Sequence, residues 1–444
     1  MTQNIQYAGE FNLDTLVIYS SNKVYLDISN LVLSIDLNEN IFQSSFFGTI
    51  LIGDTNNLLE NMPITGQEYL DLKISTPGST TSKDTINFSG KRKLYVNNIA
   101  SRGSISSGSQ VYTLDVSTIE PLRNQSTRLS KSYTETISDI VIDIFKNEFE
   151  SDAELFVEKT KGVRKIIIPN SHPFTIINKL KRESKSAKYN SPHYLFFENK
   201  NGFHFRTLQD LINKPIVAKF HAGDKNLDED KDNGGNKEDS KIMQSFRRIL
   251  SFKFSNMNNW YSNIESGLLG STLFTHDIYT KSYTKNTFDY INDFNSHDRI
   301  GSKPMYNENT LKDDFSDLKD SVIFMHPVSR VGTNITDKDA QYYKNGKAQY
   351  DNAIPEDYML NRASKISELN SGISINMIVH GHTGISAGDM INIQLPIVGE
   401  DHDNEKVEKT TSGNYLISHL RHSFIPVTKT HEIHLRAVKD GKGG

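Results

Sequence analysis

Two histidines separated by one glycine, His380 and His382, have the spacing in this sequence that best fits metal chemistry. Residues two apart in a β-strand point to the same face, so both imidazoles would face one side. Three copies of the chain around an axis would then offer six ring nitrogens to a transition metal. The alternative is a pair of ordinary, half-exposed strand histidines, because nothing fixes ligand geometry and soft ligands are absent. We therefore assign no metal or cofactor site and keep both histidines as candidates only.

An acidic segment resembles a calcium-binding loop without completing its pattern. Asp228, Asp230 and Asp232 occupy positions 1, 3 and 5 of such a loop. The pattern requires Gly at position 6 and Glu at position 12, where this sequence has Asn233 and Asp239. The alternative is a solvated loop over the highly charged residues between 221 and 241, which include few apolar side chains.

A basic run lies on the helix predicted to begin near Pro173. Such a run could contact phosphates or an acidic partner, and the alternative is a solvated helix face. Aromatic residues are not interleaved with it, unlike in proteins that bind single strands by stacking. The run comprises Lys179, Lys181, Arg182, Lys185 and Lys188.

Motifs of catalysis are missing from the sequence. It contains no P-loop, no GxGxxG and no HExxH. It also has no cysteine, which excludes disulfides, thiolate zinc sites and cysteine nucleophiles. We therefore predict that the chain is not an enzyme and has no catalytic residues.

Composition indicates several modest domains rather than one large core. The chain has 444 residues, 36% of them hydrophobic, and a formal net charge of −4. This length predicts two to four domains, and a nearly neutral charge does not favour a nucleic-acid-binding face. The N-terminus lacks the basic and apolar regions of a signal peptide, and no apolar run approaches the ~20 residues of a membrane helix. We expect synthesis and folding in a cytoplasm.

Alternating apolar residues predict an antiparallel β-barrel at each end of the chain, with a small α+β domain after the first. Short strands fill residues 1–119, and a turn at Gly53-Asp54 resembles one at Gly388-Asp389. Residues 120–215 predict helices and a hairpin whose turn is Asn201-Gly202. The second barrel is expected from residues 216–258 and 371–444, including the acidic loop 221–241. An irregular inserted domain is expected over 259–370.

Several segments resemble, in order, the central baseplate hub proteins of T-even-type contractile-tailed phages. The first are NENIFQSSFFGTILIGD, LLENMPITGQEYL and VYTLDVSTIEPLRNQSTRLSKSYTETISDI in the N-terminal third. PFTIINKLKRESKS followed by YLFFENKNGFHFRTL resembles the second domain of that family. The closing IVHGHTGISAGDMINIQLP and SGNYLISHLRHSFIPVTKTHEIHLRAVKD resemble its last barrel. The resemblance covers most of the chain and is weak between about 290 and 360.

The resemblance implies a structural role in a virion. In that family each of three copies contributes two barrels related to the tail-tube subunit, so that a trimeric hub joins the hexameric tube to the trimeric cell-puncturing spike. Implied partners are two further copies, the spike (tail lysozyme) protein, the tail tube protein or its initiator, and baseplate wedge proteins. DNA would pass through the bore without sequence-specific binding. The place implied is the tail baseplate, assembled in the host cytoplasm.

A second reading from another class remains open at the sequence level. A virion-associated or secreted β protein that binds or cleaves glycans would share much of the strand pattern. It predicts aromatic clusters along a groove, and Trp260 is the only tryptophan.

Overall fold

The computed structural model describes most of the chain, and the statements below concern this part. The described residues are 6–20, 24–62, 64–78, 84–106, 108–223, 242, 244–257, 259–278, 280–296, 298–306, 322–328, 341–344, 347–351, 354–397 and 407–443. The acidic candidates Asp228, Asp230 and Asp232 lie outside these residues.

The first part of the chain forms an antiparallel sheet, here called the N-terminal half-sheet. Its strands alternate inward apolar and outward polar residues, as in β4, where Ile50 and Ile52 are buried and Thr49 is not. A one-turn helix, α1 (Leu58–Asn61), follows β4. The strands are β1 (Asn12–Tyr19), β2 (Tyr25–Asp27), β3 (Val32–Asn40), β4 (Phe47–Asp54), β5 (Tyr69–Ser75), β6 (Thr85–Phe88), β7 (Leu94–Ser106) and β8 (Ser109–Ser117).

A small α+β domain follows. Helix α3 begins where the Thr136 hydroxyl accepts a hydrogen bond from the Asp139 N–H, as the sequence pattern predicts. The core of the α+β domain is aromatic, with Phe196, Phe203 and Phe205 fully buried. The elements are α2 (Ile119–Ser126), β9 (Leu129–Thr136), α3 (Ile137–Asp143) continued as a π-helix (Ile144–Glu148), β10 (Leu155–Val157), β11 (Val163–Ser171), α4 (Pro173–Glu183), β12 (Tyr194–Asn199), β13 (Gly202–Thr207) and α5 (Leu208–Ile212).

The C-terminal half-sheet is assembled from two separate stretches of the chain. Two strands come before the inserted region and four after it, and β21 pairs with β15 across that insertion. The strands are β14 (Ile216–His221), β15 (Ile249–Asn256), β21 (Ile373–His380), β22 (Met390–Gln394), β23 (Gly413–Ile425) and β24 (Thr430–Lys439).

The inserted region contains more regular structure than its sequence pattern indicates. β16, β17 and β18 form a three-stranded sheet. In β17 and β18, exposed residues alternate with buried or partly buried ones. Because the exposed positions of β18 hold Ile323 and Met325, apolar and polar residues do not alternate there, which explains the weak periodicity. The elements are α6 (Trp260–Glu265), β16 (Gly270–Asp277), β17 (Ser282–Asp289), a 3₁₀ turn (Phe294–Ser296), β18 (Val322–Val328), β19 (Gln341–Lys344), β20 (Lys347–Asp351) and α7 (Pro355–Ser371).

The two half-sheets belong to one 14-stranded sheet. The prediction of a mainly β protein with several antiparallel sheets and a few helices is confirmed. Among the described residues the ladders do not close into barrels. In the C-terminal half-sheet, a single bridge between His221 and Arg248 brings the two end strands together. No helix in the described part is long and apolar enough to cross a membrane.

Candidate functional site: the junction of the half-sheets

Strand β23 joins the two half-sheets because one of its edges pairs with a strand from each of them. Its beginning pairs with β22 of the same half-sheet, up to Leu416 opposite Met390. Its later part pairs antiparallel with β3 of the N-terminal half-sheet, from His419 opposite Asn40 to Phe424 opposite Ile35. β24 covers the other edge of β23 over nearly its whole length. The single strand β23 therefore forms backbone hydrogen bonds with strands of both half-sheets.

The two half-sheets have the same strand order. In the N-terminal half-sheet the path is β1-β5-β7-β8-β4-β3, and in the C-terminal half-sheet it is β14-β22-β23-β24-β21-β15. If the six strands of each path are numbered in chain order, both paths read first, fourth, fifth, sixth, third, second. The directions differ in one place, since β1 is antiparallel to β5 whereas β14 is parallel to β22.

Irregularities of pairing recur at equivalent points of the two paths. β3 gains an extra residue opposite β4 between Val32 and Ser34, and β15 gains one opposite β21 between Ile249 and Ser251. Such bulges are specific features of a fold, because each one twists and bends its strand. These two bulges therefore fix a residue-by-residue correspondence between the second strands as far as Phe254, after which β15 gains a further residue opposite β21 that has no counterpart in β3.

A second pair of bulges gives the same correspondence independently. β7 has an extra residue opposite β8 between Val96 and Asn98, and β23 has one opposite β24 between Ile417 and His419. The β7 and β23 bulges can be extended through the ladders to β4 and β21, where they match each residue of β4 with one of β21. The β3 and β15 bulges match the same residues of β4 and β21. The half-sheets are thus two versions of one unit.

A buried carboxylate precedes the fourth strand in both units. The Glu68 carboxylate accepts from the Thr65 N–H at 2.8 Å, and the Asp389 carboxylate accepts from the Ser386 N–H at 3.0 Å. The carbonyl of each acid also accepts a backbone hydrogen bond from the fifth strand at 3.0 Å. The similarity of Gly53-Asp54 to Gly388-Asp389 in the sequence is therefore not a structural equivalence, since Asp389 corresponds to Glu68.

The tip of the β12–β13 hairpin brings a buried charge to the junction. The Glu39 carboxylate of β3 accepts from the Lys200 N–H at 2.7 Å and the Ala387 N–H at 2.6 Å. The Lys200 ammonium in turn donates to the Thr383 carbonyl. Burial raises the pKa of Glu39 to about 7 and lowers that of Lys200. This hairpin tip therefore binds residues of both half-sheets, and it fixes their relative position.

A second buried carboxylate ties the same hairpin to the N-terminal half-sheet. Glu198 accepts from the Arg92 guanidinium at 2.8 Å, from the Phe46 N–H at 2.9 Å and from the Thr118 hydroxyl at 2.9 Å. Burial raises the pKa of Glu198 to about 7, and the charge of Arg92 opposes the rise. These contacts join residues that are distant in sequence, so no local pattern indicates them.

Two fully buried histidines lie beside the shared strand. His422 Nδ1 and His431 Nε2 are 3.0 Å apart, so one ring donates a hydrogen bond to the other. The Phe424 ring stacks on His431 with centroids 4.0 Å apart. Burial lowers the pKa of His422 to about 3 and holds that of His431 well below its usual value. Both rings are therefore neutral at physiological pH.

The histidine candidates from the sequence do not lie on one strand. β21 ends at His380, so His382 lies outside the strand, although the Gly381 N–H still donates to the His431 carbonyl of β24. His382 Nδ1 accepts a hydrogen bond from the Gly384 N–H at 3.0 Å. The expected strand alternation is therefore wrong for this pair. Within the described ranges no group of three or more His, Cys, Asp or Glu side chains is placed to hold a metal.

Part of the basic run packs against helix α7. Lys185 forms an ion pair with Asp357 at 3.3 Å. Burial, followed by the nearby charges of Arg362 and Arg182, lowers the pKa of Lys181 to about 8. Lys188 remains exposed. The run therefore contributes to packing between the α+β domain and the inserted region as well as to the surface.

Comparison with solved structures identifies the fold. A tail protein from Neisseria meningitidis MC58 superposes with a TM-score of 0.52, at 10% identity, over 98% of this chain and 98% of that one. The fold is that of a tail protein. The prophage MuSo2 43 kDa tail protein from Shewanella oneidensis superposes with a TM-score of 0.51, at 10% identity, over 96% of this chain and 98% of that one.

Other matches superpose less closely, with TM-scores below 0.5. They include a component of the type VI secretion system from E. coli, over 93% of this chain and 76% of that one at 12% identity, with a TM-score of 0.38. No protein-family model matches the sequence, and no functionally characterised protein matches it by sequence comparison.

Proposed function

We propose that the chain is the structural hub of a phage tail baseplate, a trimeric symmetry adapter between a hexameric tail tube and a trimeric cell-puncturing spike. The observation that carries this proposal is the presence of two half-sheets with one strand order and equivalent bulges. The fold shared with two tail proteins, one of them from a prophage, supports the location in a tail.

The duplicated unit would allow a trimer to bind both a sixfold tube and a threefold spike. A tube with sixfold symmetry needs six like surfaces, and three copies with two half-sheets each supply six. The other parts of the chain occur three times, as a trimeric spike needs. In this proposal the functional division is 1–119 for the first tube-like unit, 120–215 for the α+β domain, 216–258 with 371–444 for the second unit, and 259–370 for the insertion.

The proposed role is mechanical and includes no chemistry. The hub carries force between tube and spike, contacts baseplate wedge proteins, and surrounds the DNA path without reading sequence. Lysis of the cell wall belongs to the spike. We therefore expect no clearing of peptidoglycan in a zymogram of the purified chain. Clearing that disappears when one carboxylate of this chain is replaced would contradict the non-enzymatic role.

The trimer is tested by mass photometry and native mass spectrometry. We expect a species of three times 50.3 kDa, either alone or after addition of the spike protein encoded with this chain. Closed rings of identical copies use the same head-to-tail contact at each step, so a ring of three leaves no contact at which a fourth copy could add. A chain that remains monomeric under both conditions would contradict the adapter role.

The glycan-binding alternative has less support. The Trp260 ring packs edge to face on Tyr306 with centroids 4.9 Å apart, and it contributes to the core under the inserted region. It therefore does not form part of an exposed aromatic groove of the kind that the alternative predicts. A glycan array with the purified chain tests it directly.

A further inference from the structure

The duplicated unit leaves two strand edges without the partners that their equivalents have. Within the chain, the second strand of one unit, β3, pairs with the later part of the fifth strand of the other unit, β23. The remaining second strand is β15, and the remaining fifth strand is β7. In the described part of the chain, β15 forms a ladder only with β21. The later part of β7 forms one only with β8, because β5 pairs with β7 at Leu94 and Tyr95 alone.

The exposed side chains of β15 occupy positions that are buried at the internal junction. Counted from the matching bulges, Phe252 corresponds to Ile35 and Phe254 to Leu37. Ile35 and Leu37 are fully buried, whereas Phe252 is 44% exposed. A phenylalanine in the middle of an open edge is a liability in a soluble protein unless another strand covers it. The same comparison applies to β7, where Ile99 corresponds to the buried Leu420 and is only half-buried.

We propose that β15 of one copy pairs antiparallel with the later part of β7 of a second copy, repeating between chains the β3–β23 ladder found within each chain. The occupant of each open edge is thus another copy of this chain. The contact is heterologous, since each copy uses β15 on one side and β7 on the other, and such contacts form a ring when the rotation between successive copies closes. The inference rests on the proposed ring but not on its place in a phage tail.

The internal ladder also fixes the register between copies. Arg421 of β23 faces Asn38 of β3. Arg421 corresponds to Ala100 when the residues that they face on β24 and β8 are matched. Asn38 corresponds to Asn256 when the residues that they face on β4 and β21 are matched. The proposal therefore places Ala100 of one copy opposite Asn256 of the next.

Disulfide trapping tests this pair, and the chain itself supplies the positive control. The protein has no cysteine, so every thiol is an introduced one. Facing residues of two paired strands lie within the Cα separation that a disulfide spans. Asn38→Cys with Arg421→Cys should close a disulfide within one chain. Ala100→Cys with Asn256→Cys should instead link chains, giving dimers and a circular trimer on a non-reducing gel. Ala100→Cys with Ser251→Cys serves as the mismatched pair, since Ser251 lies four ladder positions from Asn256, or about 13 Å along β15.

A second variant separates the interface from folding. Phe252→Glu places a charge at a site that is already accessible in a single copy, so the melting temperature of the separated chain should not fall. The Phe252→Glu change should raise the concentration at which the trimer dissociates by roughly tenfold or more. Ile35→Glu, the equivalent change at the internal junction, should destabilise the chain itself.

The outcomes separate this inference from the proposed function. Interchain crosslinking of Ala100→Cys/Asn256→Cys, without crosslinking of the mismatched pair, supports the interface. A trimer by native mass in which only the mismatched pair crosslinks, or neither pair does, refutes the interface and leaves the ring standing. A chain that stays monomeric, with or without spike protein, refutes both.

Discussion

Acidification should destabilise the protein through the buried histidine pair at the junction. The unfolded chain binds a proton at each histidine with a pKa of about 6.5, whereas burial lowers the pKa of His422 to about 3 in the fold. The unfolded state therefore binds more protons between these values, and stability falls as the pH decreases from about 6.5 towards 3. For His422 alone the loss amounts to about 2 kcal/mol at pH 5. The lowered pKa of His431 acts in the same direction.

Other buried groups titrate with the opposite sign. Burial raises the pKa of Glu39 and Glu198 to about 7, so the folded state binds more protons than the unfolded state between about pH 4 and 7. These two carboxyls add stability as the pH falls. The total pH dependence is therefore a difference of terms, and the histidine contribution has to be isolated by comparison with a variant.

The assay is urea unfolding at pH 7, 6 and 5, monitored by tryptophan fluorescence and circular dichroism. We compare the native protein with the double variant His422→Gln/His431→Gln, which cannot titrate in this range. The loss of unfolding free energy between pH 7 and 5 should be smaller in the variant, by about 2 kcal/mol for His422 and by a further amount for His431. His276→Gln changes an exposed histidine and should keep the native slope. Equal slopes in the native protein and the double variant would refute the reasoning.

Three further outcomes are expected. Glu39→Ala removes the acceptor of two buried N–H groups and a negative charge near the buried Lys200 ammonium, so it should cost about 3 kcal/mol in urea unfolding, whereas the exposed Glu60→Ala should be neutral. Gly202→Ala places a Cβ against the Glu154 carbonyl at a positive φ of 144° and should lower the melting temperature by several degrees; Gly108→Ala, where a Cβ meets nothing within 4 Å, should not. Deleting residues 224–239 should leave the melting temperature nearly unchanged, because this polar segment has few apolar residues to bury; a large loss, or a melting temperature in the parent that rises with calcium, would contradict this.

Local features of the fold could be predicted because their determinants are close in sequence. The Thr136 cap bonds to a residue three positions later, and the β12–β13 hairpin forms where Asn201-Gly202 predicts one. Its turn lies one residue earlier than predicted, at Lys200 and Asn201, because Gly202 already pairs with Asn199. Where a distant partner competes, the local pattern fails. Ser132 and Glu135 have the spacing of a helix start, yet both lie in β9, which pairs with β11 instead. Strand pairing over about 30 residues outweighs the capping preference there.

The junction could not be derived from local patterns. Glu39 binds Lys200, which is 161 residues away, and Ala387, which is 348 residues away. The duplication is hidden for a different reason. Equivalent positions hold different residue types, such as Glu68 and Asp389, and bulges leave no signature in side-chain alternation that is visible by inspection. Only the ladders show that the two half-sheets correspond.

The shared strand β23 has a consequence for synthesis of the protein. β3 leaves the ribosome early, but the strand that covers its outer edge follows about 380 residues later, as the pairing of Asn40 with His419 requires. At ribosomal speeds of about 5–20 residues per second, that edge waits roughly 20–80 s for its partner. Chains growing on the same messenger expose identical edges during this time. Pairing between neighbouring nascent chains therefore competes with the junction inside each chain, and the rate of translation influences which of the two forms first.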